Sequence, residues 1–404
     1  MRGVGRIRGA RESLNGGPNV AAVLARRDEV IGVDEHTGEP DDAFLMPWVQ
    51  SHRIALVRGL GRLTGERRVT VGDEELEARK AVILSGGSEP LLPPIDGLED
   101  VEGVWTNREA LTTREIPRRM IIVGAGPVGL ELAQAFQKLG SQVTLIEGEP
   151  RVLPNHEEFA RVQLTTALGQ DGVEILTGRR VVRLGRNGDA YVVTTSDDGA
   201  AETDRVLVAV GRKAPTDDIG LQNVGLNPGG FLEVNEHMRV RGVSWLYAAG
   251  DISGRAQFTH MGKYQARIAV DHFLGDETAV AHGADGAQAP HVIFTDPQVV
   301  SVGHTTESAT AAGIDFDVYD TETSANLGGL FYAPNAQGTA RFLVHRERRV
   351  LIGCTITGSE VADFLHAATI AVVGEVPLER LRHAVPPFPT RSELWLSLLE
   401  QAGV

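Results

Sequence analysis

The sequence predicts an α/β protein in which short apolar strands alternate with helices, followed by a C-terminal α+β unit. Two observations predict this fold class. A central stretch holds two apolar runs on either side of a glycine-rich turn and a helix-like segment. Beyond residue 290, by contrast, strand-like segments come first and helix-like segments follow. Hydrophobic periodicity is the primary signal for both assignments.

The central stretch has the pattern of a strand, a turn, a helix and a second strand. Residues 120–123 are predicted to form a buried strand, and residues 130–139 a helix that ends at Gly140. Residues 142–146 are predicted to form the second strand, which ends at Glu147. Three glycines at the spacing G-x-G-x-x-G lie between the first strand and the helix: Gly124, Gly126 and Gly129. This arrangement is typical of the first βαβ unit of a dinucleotide-binding fold.

Each glycine of the turn has a distinct expected role. Gly124 permits the tight turn, Gly126 lets the backbone approach a pyrophosphate, and Gly129 lets helix and strand pack closely. The helix N-terminus offers free N–H groups and a positive dipole to the phosphates. The candidate nucleotide-binding residues here are Gly124, Ala125, Gly126, Pro127, Val128, Gly129, Leu130 and Glu131.

Glu147 is the candidate for ribose recognition. It lies 23 positions after Gly124, about where a carboxylate is expected to bind a ribose 2′-OH. The acid favours NAD(H) over NADP(H), because it would repel a 2′-phosphate. Arg151 follows shortly afterwards, so NADP(H) stays open as the alternative.

The composition restricts the class of protein. A net charge of −15 argues against a nucleic-acid partner and against an anionic membrane surface. No run of 18 apolar residues is present, so no membrane-spanning helix is expected. Cys354 is the single cysteine, which excludes an intrachain disulfide and favours a cytoplasmic location. The histidines show no metal-ligand spacing, so no metal site is expected, and His237 is expected to be an ordinary surface or turn residue.

The remaining segments set the expected organisation. A helix is predicted at residues 19–31 with Asn19 as its N-cap. Residues 90–118 are expected to be a connector, and residues 282–290 a linker of low hydrophobicity. Strands are predicted at residues 53–58, 67–71, 79–84, 191–195, 205–210, 291–303, 340–344 and 350–357, and further helices at residues 359–373 and 391–401.

Several of these segments match motifs of one known family, in the same order along the chain. They are residues 206–212 (VLVAVGR), 245–251 (WLYAAGD), 294–303 (FTDPQVVSVG), 351–360 (LIGCTITGSE) and 389–393 (PTRSE). Together with the glycine-rich turn they cover nearly the whole chain. The chain therefore resembles the FAD-dependent pyridine nucleotide-disulfide oxidoreductases, the group of dihydrolipoamide dehydrogenase, glutathione reductase and mercuric reductase.

The resemblance implies two Rossmann-like nucleotide-binding domains and a C-terminal α+β interface domain that forms a homodimer. The FAD domain would comprise residues 1–118 and 244–285, the NAD(P)H domain residues 119–243, and the interface domain residues 290–404. Gly211 would contribute to the NAD(P)H site, and Asp251 would bind the hydroxyls of the flavin ribityl chain. The residues that match the family's FAD site are Gly61, Gly87, Asp251 and Thr259.

The chain departs from the family pattern near its start. No second G-x-G-x-x-G and no C-x-x-x-x-C precede residue 119, so the first Rossmann-like domain is expected to be N-terminally truncated. Either the reading frame is clipped or the protein is a true truncation that has lost FAD. The first explanation is favoured because the FAD-side residues remain recognisable. The family's lysine partner of Glu131 is missing with that stretch, so this carboxylate is expected to protonate or to find water.

A further departure concerns acid–base chemistry. Phe388 precedes Pro389 where the family has its acid–base histidine, although the family's orienting partner, Glu393, is present. His383 is a possible substitute, but an ordinary surface histidine is the simpler interpretation. Loss of the imidazole would remove the proton shuttle between a thiol and solvent. The candidate catalytic residues are therefore Glu393 and Glu131.

These observations predict an FAD-dependent oxidoreductase that passes hydride from NADH through the flavin to a small-molecule acceptor, quinone-like or disulfide-type. The cofactors would carry the redox chemistry, and the protein would position them. The alternative is a truncated, non-catalytic NAD(H)-binding protein. A monomeric reductase of the ferredoxin type is a third hypothesis, and the motifs of the C-terminal unit argue against it.

Overall fold

The computed structural model describes residues 18–34, 37–332 and 338–404. The first 17 residues of the expected FAD domain therefore lie outside the described residues. Within the described ranges, no helix combines the length and the apolar character needed to cross a bilayer.

The N-terminal region begins with a helix, Val20–Ile31, as predicted. Asn19 caps it, because its side chain accepts the backbone N–H of Ala22 at 3.1 Å. A short helix, Met46–Ser51, follows. An antiparallel meander comes next, formed by the strands Gly61–Gly65, Arg68–Val71 and Glu74–Glu77.

The predicted strand at residues 53–58 is wrong, because these residues have no regular secondary structure. Arg53 adopts a left-handed conformation with φ of 53°, which breaks an extended run at its first residue. Ile54 and Leu56 are each 48% exposed, so the alternating apolar residues have no sheet face to cover. The strand lies further along the chain, at Gly61–Gly65.

The NAD(P)H-side region contains a four-stranded parallel sheet with two covering helices, Pro127–Leu139 and Glu158–Gln170. In spatial order the strands are Arg205–Val208, Arg119–Val123, Gln142–Ile146 and Glu174–Leu176. A three-stranded antiparallel sheet joins this region, formed by Val181–Asn187, Ala190–Thr195 and Ala200–Thr203. The predicted strand at 142–146 is confirmed, and the predicted helix begins three residues earlier than expected.

The predicted connector at residues 90–118 packs on the same region. It contains the helix Asn107–Thr112, which begins with a capping box formed by Thr106 and Glu109. Trp105 pairs with Leu207 at the edge of the parallel sheet and is 9% exposed. The connector is thus part of the hydrophobic core rather than a free linker.

The FAD-side region has a smaller sheet. Val82–Leu84 pairs in parallel with Leu246–Ala248 as two strands, and the helix Thr259–Leu274 follows. Next to it, Glu89–Pro90 pairs with Arg212–Lys213. Short 3-10 turns in this region are Ala43–Leu45, Leu221–Val224 and Asp251–Ser253.

Residues 282–290, predicted as a linker, pack into the protein instead. They form two short 3-10 turns, His282–Ala284 and Gly286–Gln288. Asp285 is 4% exposed and forms an ion pair with Arg255, and Ala289 is fully buried. Small and polar residues made this segment look like a linker, but a buried ion pair holds it in place.

The C-terminal unit is a five-stranded antiparallel sheet packed with helices. In spatial order its strands are His291–Ile293, Gln298–Gly303, Leu351–Gly358, Thr339–His345 and Phe316–Glu322. Its helices are Thr306–Ala311, Leu327–Tyr332, Leu365–Val373, Leu378–Leu381 and Leu394–Gln401, with 3-10 turns at Ala362–Phe364 and Arg391–Glu393. The predicted strand at 291–303 is thus two strands, and the predicted helix at 359–373 begins at Leu365.

Candidate active site

The glycine-rich turn has the geometry that its spacing predicts. Gly124 has φ of 106°, and a Cβ there would lie 2.5 Å from the carbonyl oxygen of Ala209. A Cβ on Gly129 would overlap the carbonyl oxygen of Gly124. Both positions therefore require glycine for steric reasons. Gly126 differs, because no described atom beyond its chain neighbours lies within 4 Å of a Cβ built there, so the space in front of it is open.

The helix Pro127–Leu139 begins at this open space. Gly126 is its N-cap and has no side chain to accept the first N–H groups. Pro127 is the first residue of the helix. Val128 is 38% exposed, whereas Leu130 is fully buried, so the helix presents its N-terminus to solvent and its next turn to the core. Unpaired N–H groups at a helix N-terminus, with its positive dipole, suit a pyrophosphate.

Glu147 lies directly against this turn. Its carboxylate accepts the backbone N–H of Ala125 at 2.7 Å and that of Glu149 at 2.9 Å. The acid at the end of the second strand is therefore held beside the glycines. Arg151 points elsewhere, because it pairs with Glu307 at 3.2 Å.

A second basic residue lies near the candidate ribose site and was missed by sequence reasoning. The side chain of Arg180 packs over Gly148, and its guanidinium lies 3.6 Å from Glu149. Arg180 comes from a different segment, so only the folded chain shows the proximity. Its charge is the feature here that favours a 2′-phosphate.

Glu131 joins the NAD(P)H-side helix to the C-terminal unit. Its carboxylate accepts the backbone N–H of Phe294 at 2.7 Å. Burial raises the pKa of Glu131 above its usual range, and the Phe294 N–H partly opposes that shift. The sequence predicted a carboxylate that protonates or finds water, whereas the structure gives it a backbone donor.

On the FAD side, Asp251 forms a polar cluster with Ser88 and Arg212. The Ser88 hydroxyl donates to the Asp251 carboxylate at 2.5 Å, and Arg212 Nε donates to Ser88 Oγ at 2.5 Å. Arg212 Nε lies 3.7 Å from the same carboxylate. Sequence reasoning missed Ser88 and Arg212 as partners, because they come from segments far apart in the chain. Gly211, with φ of 141°, immediately precedes Arg212.

The remaining FAD-side candidates lie on separate elements. Gly61 lines an apolar cavity of about 370 Å³ with Leu63 and Val82. Gly87 has φ of 72°, and within the described part of the chain no atom other than those of its neighbours lies within 4 Å of a built Cβ, so it faces open space. Thr259 begins the helix Thr259–Leu274. A carboxylate, open backbone and an apolar cavity are features that suit part of an FAD molecule.

Aromatic and imidazole rings adjoin Thr259. Phe258 stacks on His260 and on His291, with ring centroids 5.5 Å and 5.6 Å apart. His291 Nε2 lies 3.1 Å from His156 Nε2. Burial lowers the pKa of His156 to about 3, and the charges of His291 and Arg161 add to the shift. Burial also lowers the pKa of His291, so both rings are neutral at pH 7.

The C-terminal motif places Phe388 on the surface. Phe388 is 71% exposed, and Glu393 Oε2 is buried without a hydrogen-bond partner among the described residues. His383 is exposed beyond the helix Leu378–Leu381 and forms no hydrogen bond or ion pair with Glu393. Cys354 is fully buried in the central strand of the C-terminal sheet, and burial raises the pKa of its thiol.

Comparison with known proteins places this arrangement in one class: FAD- and NAD(H)-dependent oxidoreductases with two nucleotide sites and a dimerisation domain. Residues 10–266 match the pyridine nucleotide-disulphide oxidoreductase family, and residues 289–398 match its dimerisation domain. The chain belongs to the pyridine nucleotide-disulphide oxidoreductase family.

Curated relatives agree with this assignment. A dihydrolipoyl dehydrogenase of Thermus scotoductus is 31% identical over 353 residues, covering 85% of this chain and 74% of the relative. A dihydrolipoyl dehydrogenase of Bacillus subtilis is 30% identical, covering 88% and 78%. A mercuric reductase of Staphylococcus aureus is 28% identical over 397 residues, covering 92% and 70%.

Solved structures share the fold. The HOCl-induced flavoprotein disulfide reductase RclA from Escherichia coli, in a Cu(II) complex, superposes with a TM-score of 0.80 at 22% identity, covering 93% of this chain and 84% of RclA. LpdA from Mycobacterium tuberculosis gives a TM-score of 0.80 at 22% identity, covering 95% and 88%. At this identity the likeness shows the fold alone.

Proposed function

We propose that this family member passes hydride from NADH, through FAD, to a small-molecule acceptor of the quinone or disulfide type. The single observation that carries the proposal is the glycine-rich turn. Its open face at Gly126 lies beside a carboxylate, Glu147, that is held by the same turn. An anionic pyrophosphate and a ribose diol match these two features.

The proposed division of labour follows the domain limits expected from the sequence: residues 119–243 for NAD(H), residues 1–118 and 244–285 for FAD, and residues 290–404 for the interface. FAD, when bound, accepts hydride from the nicotinamide and hands the electrons on. Asp251, fixed by Ser88 and Arg212, would hold the ribityl hydroxyls. The backbone at Gly61 and Gly87 and the start of the helix at Thr259 would line the rest of the site.

Two residues of the C-terminal unit restrict the chemical class of the acceptor. Phe388 supplies no proton-transfer group where the family has a histidine. Cys354 is fully buried, and burial raises the pKa of its thiol, so it is unsuited to thiolate chemistry. A quinone-like acceptor, which takes electrons directly, therefore fits these 404 residues better than a disulfide.

The dimerisation domain supports a homodimer. Large apolar side chains lie on the surface of the C-terminal unit, where a partner would cover them: Phe331, Ile370, Val373, Val385 and Phe388. In the family that the chain resembles, the C-terminal motif of each subunit completes the flavin site of the other. Such two-fold interfaces are the commonest oligomer symmetry. A cytoplasmic location remains the proposal from the single cysteine.

The experiment that tests the proposal is the visible absorption spectrum of the purified 404-residue protein, before and after anaerobic NADH. We expect a flavin band that bleaches on addition of NADH and recovers when a quinone is added. A colourless protein that still binds NADH would support the alternative, a non-catalytic NAD(H)-binding protein. A coloured protein that oxidises no NADH with any quinone would contradict the proposed reaction.

A further inference from the structure

Two histidines and a carboxylate come together on the FAD-side region, away from the nucleotide-binding turn. Ligand atoms of His237, His272 and Glu277 all lie within 4.8 Å of one another. His237 Nε2 lies 3.9 Å from Glu277 and 3.7 Å from Glu236. The two imidazole rings stack with centroids 4.4 Å apart. We propose that His237, His272 and Glu277 bind a transition-metal dication of the zinc type.

Each of the two rings has an outer hydrogen-bond partner at Nδ1. His237 Nδ1 lies 3.1 Å from the carbonyl oxygen of Thr278, and His272 Nδ1 lies 2.8 Å from the hydroxyl of Tyr247. With Nδ1–H donating in each ring, the lone pair is left on Nε2. Metal-ligating histidines generally carry such an outer partner, which fixes the tautomer and the ring orientation.

Hydrogen bonds within the protein hold the two segments that carry His237 and Glu277, without any contribution from an ion. Asn235 Oδ1 accepts the backbone N–H groups of His237 and Arg239, at 3.1 Å and 2.9 Å. Asp276 Oδ1 accepts from the backbone N–H and the hydroxyl of Thr278, at 2.9 Å and 2.6 Å. These bonds hold His237 and the backbone around Glu277 in place, so little ordering is left for the metal to impose.

A backbone hydrogen bond joins the two segments. Of the two ligands His237 and Glu277, only Glu277 has a largely exposed side chain. The backbone N–H of Val280 donates to the carbonyl oxygen of Glu236 at 3.0 Å. His237 has 14% of its side chain exposed, whereas Glu277 has 84% exposed. Tetrahedral zinc with bonds of about 2.0 Å needs ligand atoms about 3.3 Å apart. The exposed Glu277 carboxylate would reach that separation by rotation of its side chain, and the two stacked imidazoles would reach it by a change in ring tilt.

The local charge favours a cation. The ionisable groups that act on His272 are the His237 imidazole, the carboxylates of Glu277 and Glu236, and the guanidinium of Arg239. Two carboxylates and one guanidinium therefore surround the two imidazoles. Two imidazoles with one carboxylate and an open fourth position is a ligand set that zinc accepts, with water as the fourth ligand.

The bound ion would join the end of the helix Thr259–Leu274 to the turn at residues 235–239. His272 lies in the last turn of that helix, whose first residue is Thr259. The ion would thus fix the far end of the helix that begins at the proposed flavin site. The inference does not depend on bound FAD, because the ligands belong to the chain itself.

The test is calorimetric titration of the EDTA-treated full chain with Zn²⁺ alone. We expect one Zn²⁺ per protomer and a melting temperature that rises with Zn²⁺ and saturates at one equivalent. His237→Asn and His272→Asn should each weaken binding about 100-fold or more, and Glu277→Gln about tenfold. Tyr247→Phe, which removes only an outer partner, should weaken it about tenfold.

Matched controls are His383→Asn, an exposed histidine, and Glu233→Gln, an exposed acid outside the cluster. Both should bind Zn²⁺ like the parent protein. Glu277→Gln alters an exposed side chain, so it keeps the test valid if a histidine variant misfolds. The proposal is overturned if no Zn²⁺ binds, or if folded Glu277→Gln and a folded histidine variant bind Zn²⁺ as tightly as the parent.

Discussion

The carboxylate of Glu147 accepts the backbone N–H of Ala125 at 2.7 Å, so the acid at the end of the second strand is fixed on the glycine-rich turn. One group can therefore serve both the turn and the ribose of a bound nucleotide. The carboxylate would repel a 2′-phosphate, and Arg180 beside Gly148 would attract one. The nucleotide preference depends on which charge dominates.

We expect Glu147→Gln to weaken NADH binding about tenfold, because hydrogen bonds to a charged group contribute about 1.5 kcal/mol or more. NADPH binding should stay level or improve, since the repulsive charge is gone. The amide oxygen can still accept the N–H of Ala125, and only the acceptor for the N–H of Glu149 is lost, so the turn should survive. Fluorescence titration with both nucleotides measures the change, with Glu149→Gln as the neighbouring control. An equal fall for both nucleotides would mean that Glu147 acts only through the turn.

The glycines of the turn should separate binding from folding. Gly126→Ala adds a methyl to open space in an allowed conformation, so stability should change by only a few tenths of a kcal/mol. NADH affinity should nevertheless fall by about tenfold or more, because the methyl occupies the pyrophosphate's place.

Gly129→Ala should have the opposite effect, with a larger loss of stability than of NADH affinity. Its Cβ would overlap the backbone of Gly124, so the variant should lose about 1–3 kcal/mol of unfolding free energy. Urea denaturation and NADH titration of both variants provide the comparison. If Gly126→Ala bound NADH normally, the phosphates would have to lie elsewhere.

Phe388→His should introduce a titrating group without destabilising the protein. Phe388 is 71% exposed within one protomer, so its replacement removes little surface buried in the protomer's own core. Glu393 Oε2 is buried and lacks a partner among the described residues, so an acceptor is available in the same motif. We expect the rate of NADH oxidation with a quinone to gain an inflection near pH 6.5 or above, the usual range of histidine. Phe388→Ala should show none, and identical pH profiles for the two variants would exclude a proton-transfer role at this position.

Local patterns in the sequence predicted the geometry of the glycine-rich turn, because its glycines and apolar runs interact within a short stretch. The helix at Val20–Ile31 was predicted for the same reason, through its Asn19 cap. The prediction of a strand at residues 53–58 was wrong, because a short run of alternating apolar residues forms a strand only where it can pair with a neighbouring strand. The cluster around His237 could not be predicted either, since its ligands become neighbours only when distant segments fold together.

Arg341 ties the NAD(P)H-side region to the C-terminal sheet, and its loss should be costly. Its guanidinium contacts Glu157 at 3.0 Å and Asp320 at 2.7 Å. Glu157 is 4% exposed, so Arg341→Met would leave a buried carboxylate with Thr306 as its remaining partner. We expect unfolding free energy to fall by about 3 kcal/mol.

A matched control for Arg341 is available in the same sheet. Arg346 pairs with Asp315 and Asp317, and more than half of its side chain is exposed. Exposed ion pairs contribute little, so Arg346→Met should leave stability nearly unchanged. Equal losses in the two variants, measured by urea denaturation, would contradict the distinction between a buried and an exposed pair.

The facing imidazoles of His156 and His291 should make the protein sensitive to acid. The pKa of His156 is lowered to about 3, chiefly by burial, from an ordinary value of 6.5. A lowered pKa means that the folded state binds the proton less readily than the unfolded state does. The stabilisation is therefore complete above pH 6.5 and is lost as the pH falls from there towards 3.

We expect His156→Gln to flatten this dependence. Between pH 6.5 and 4 the unfolding free energy of the parent protein should fall faster than that of the variant, by up to about 1.4 kcal/mol per pH unit. Urea denaturation at pH 7, 5.5 and 4.5 measures the two slopes, and His383→Gln, at an exposed site, should follow the parent. Parallel curves for the parent and His156→Gln would show that His156 takes up its proton in the folded state as easily as in the unfolded chain.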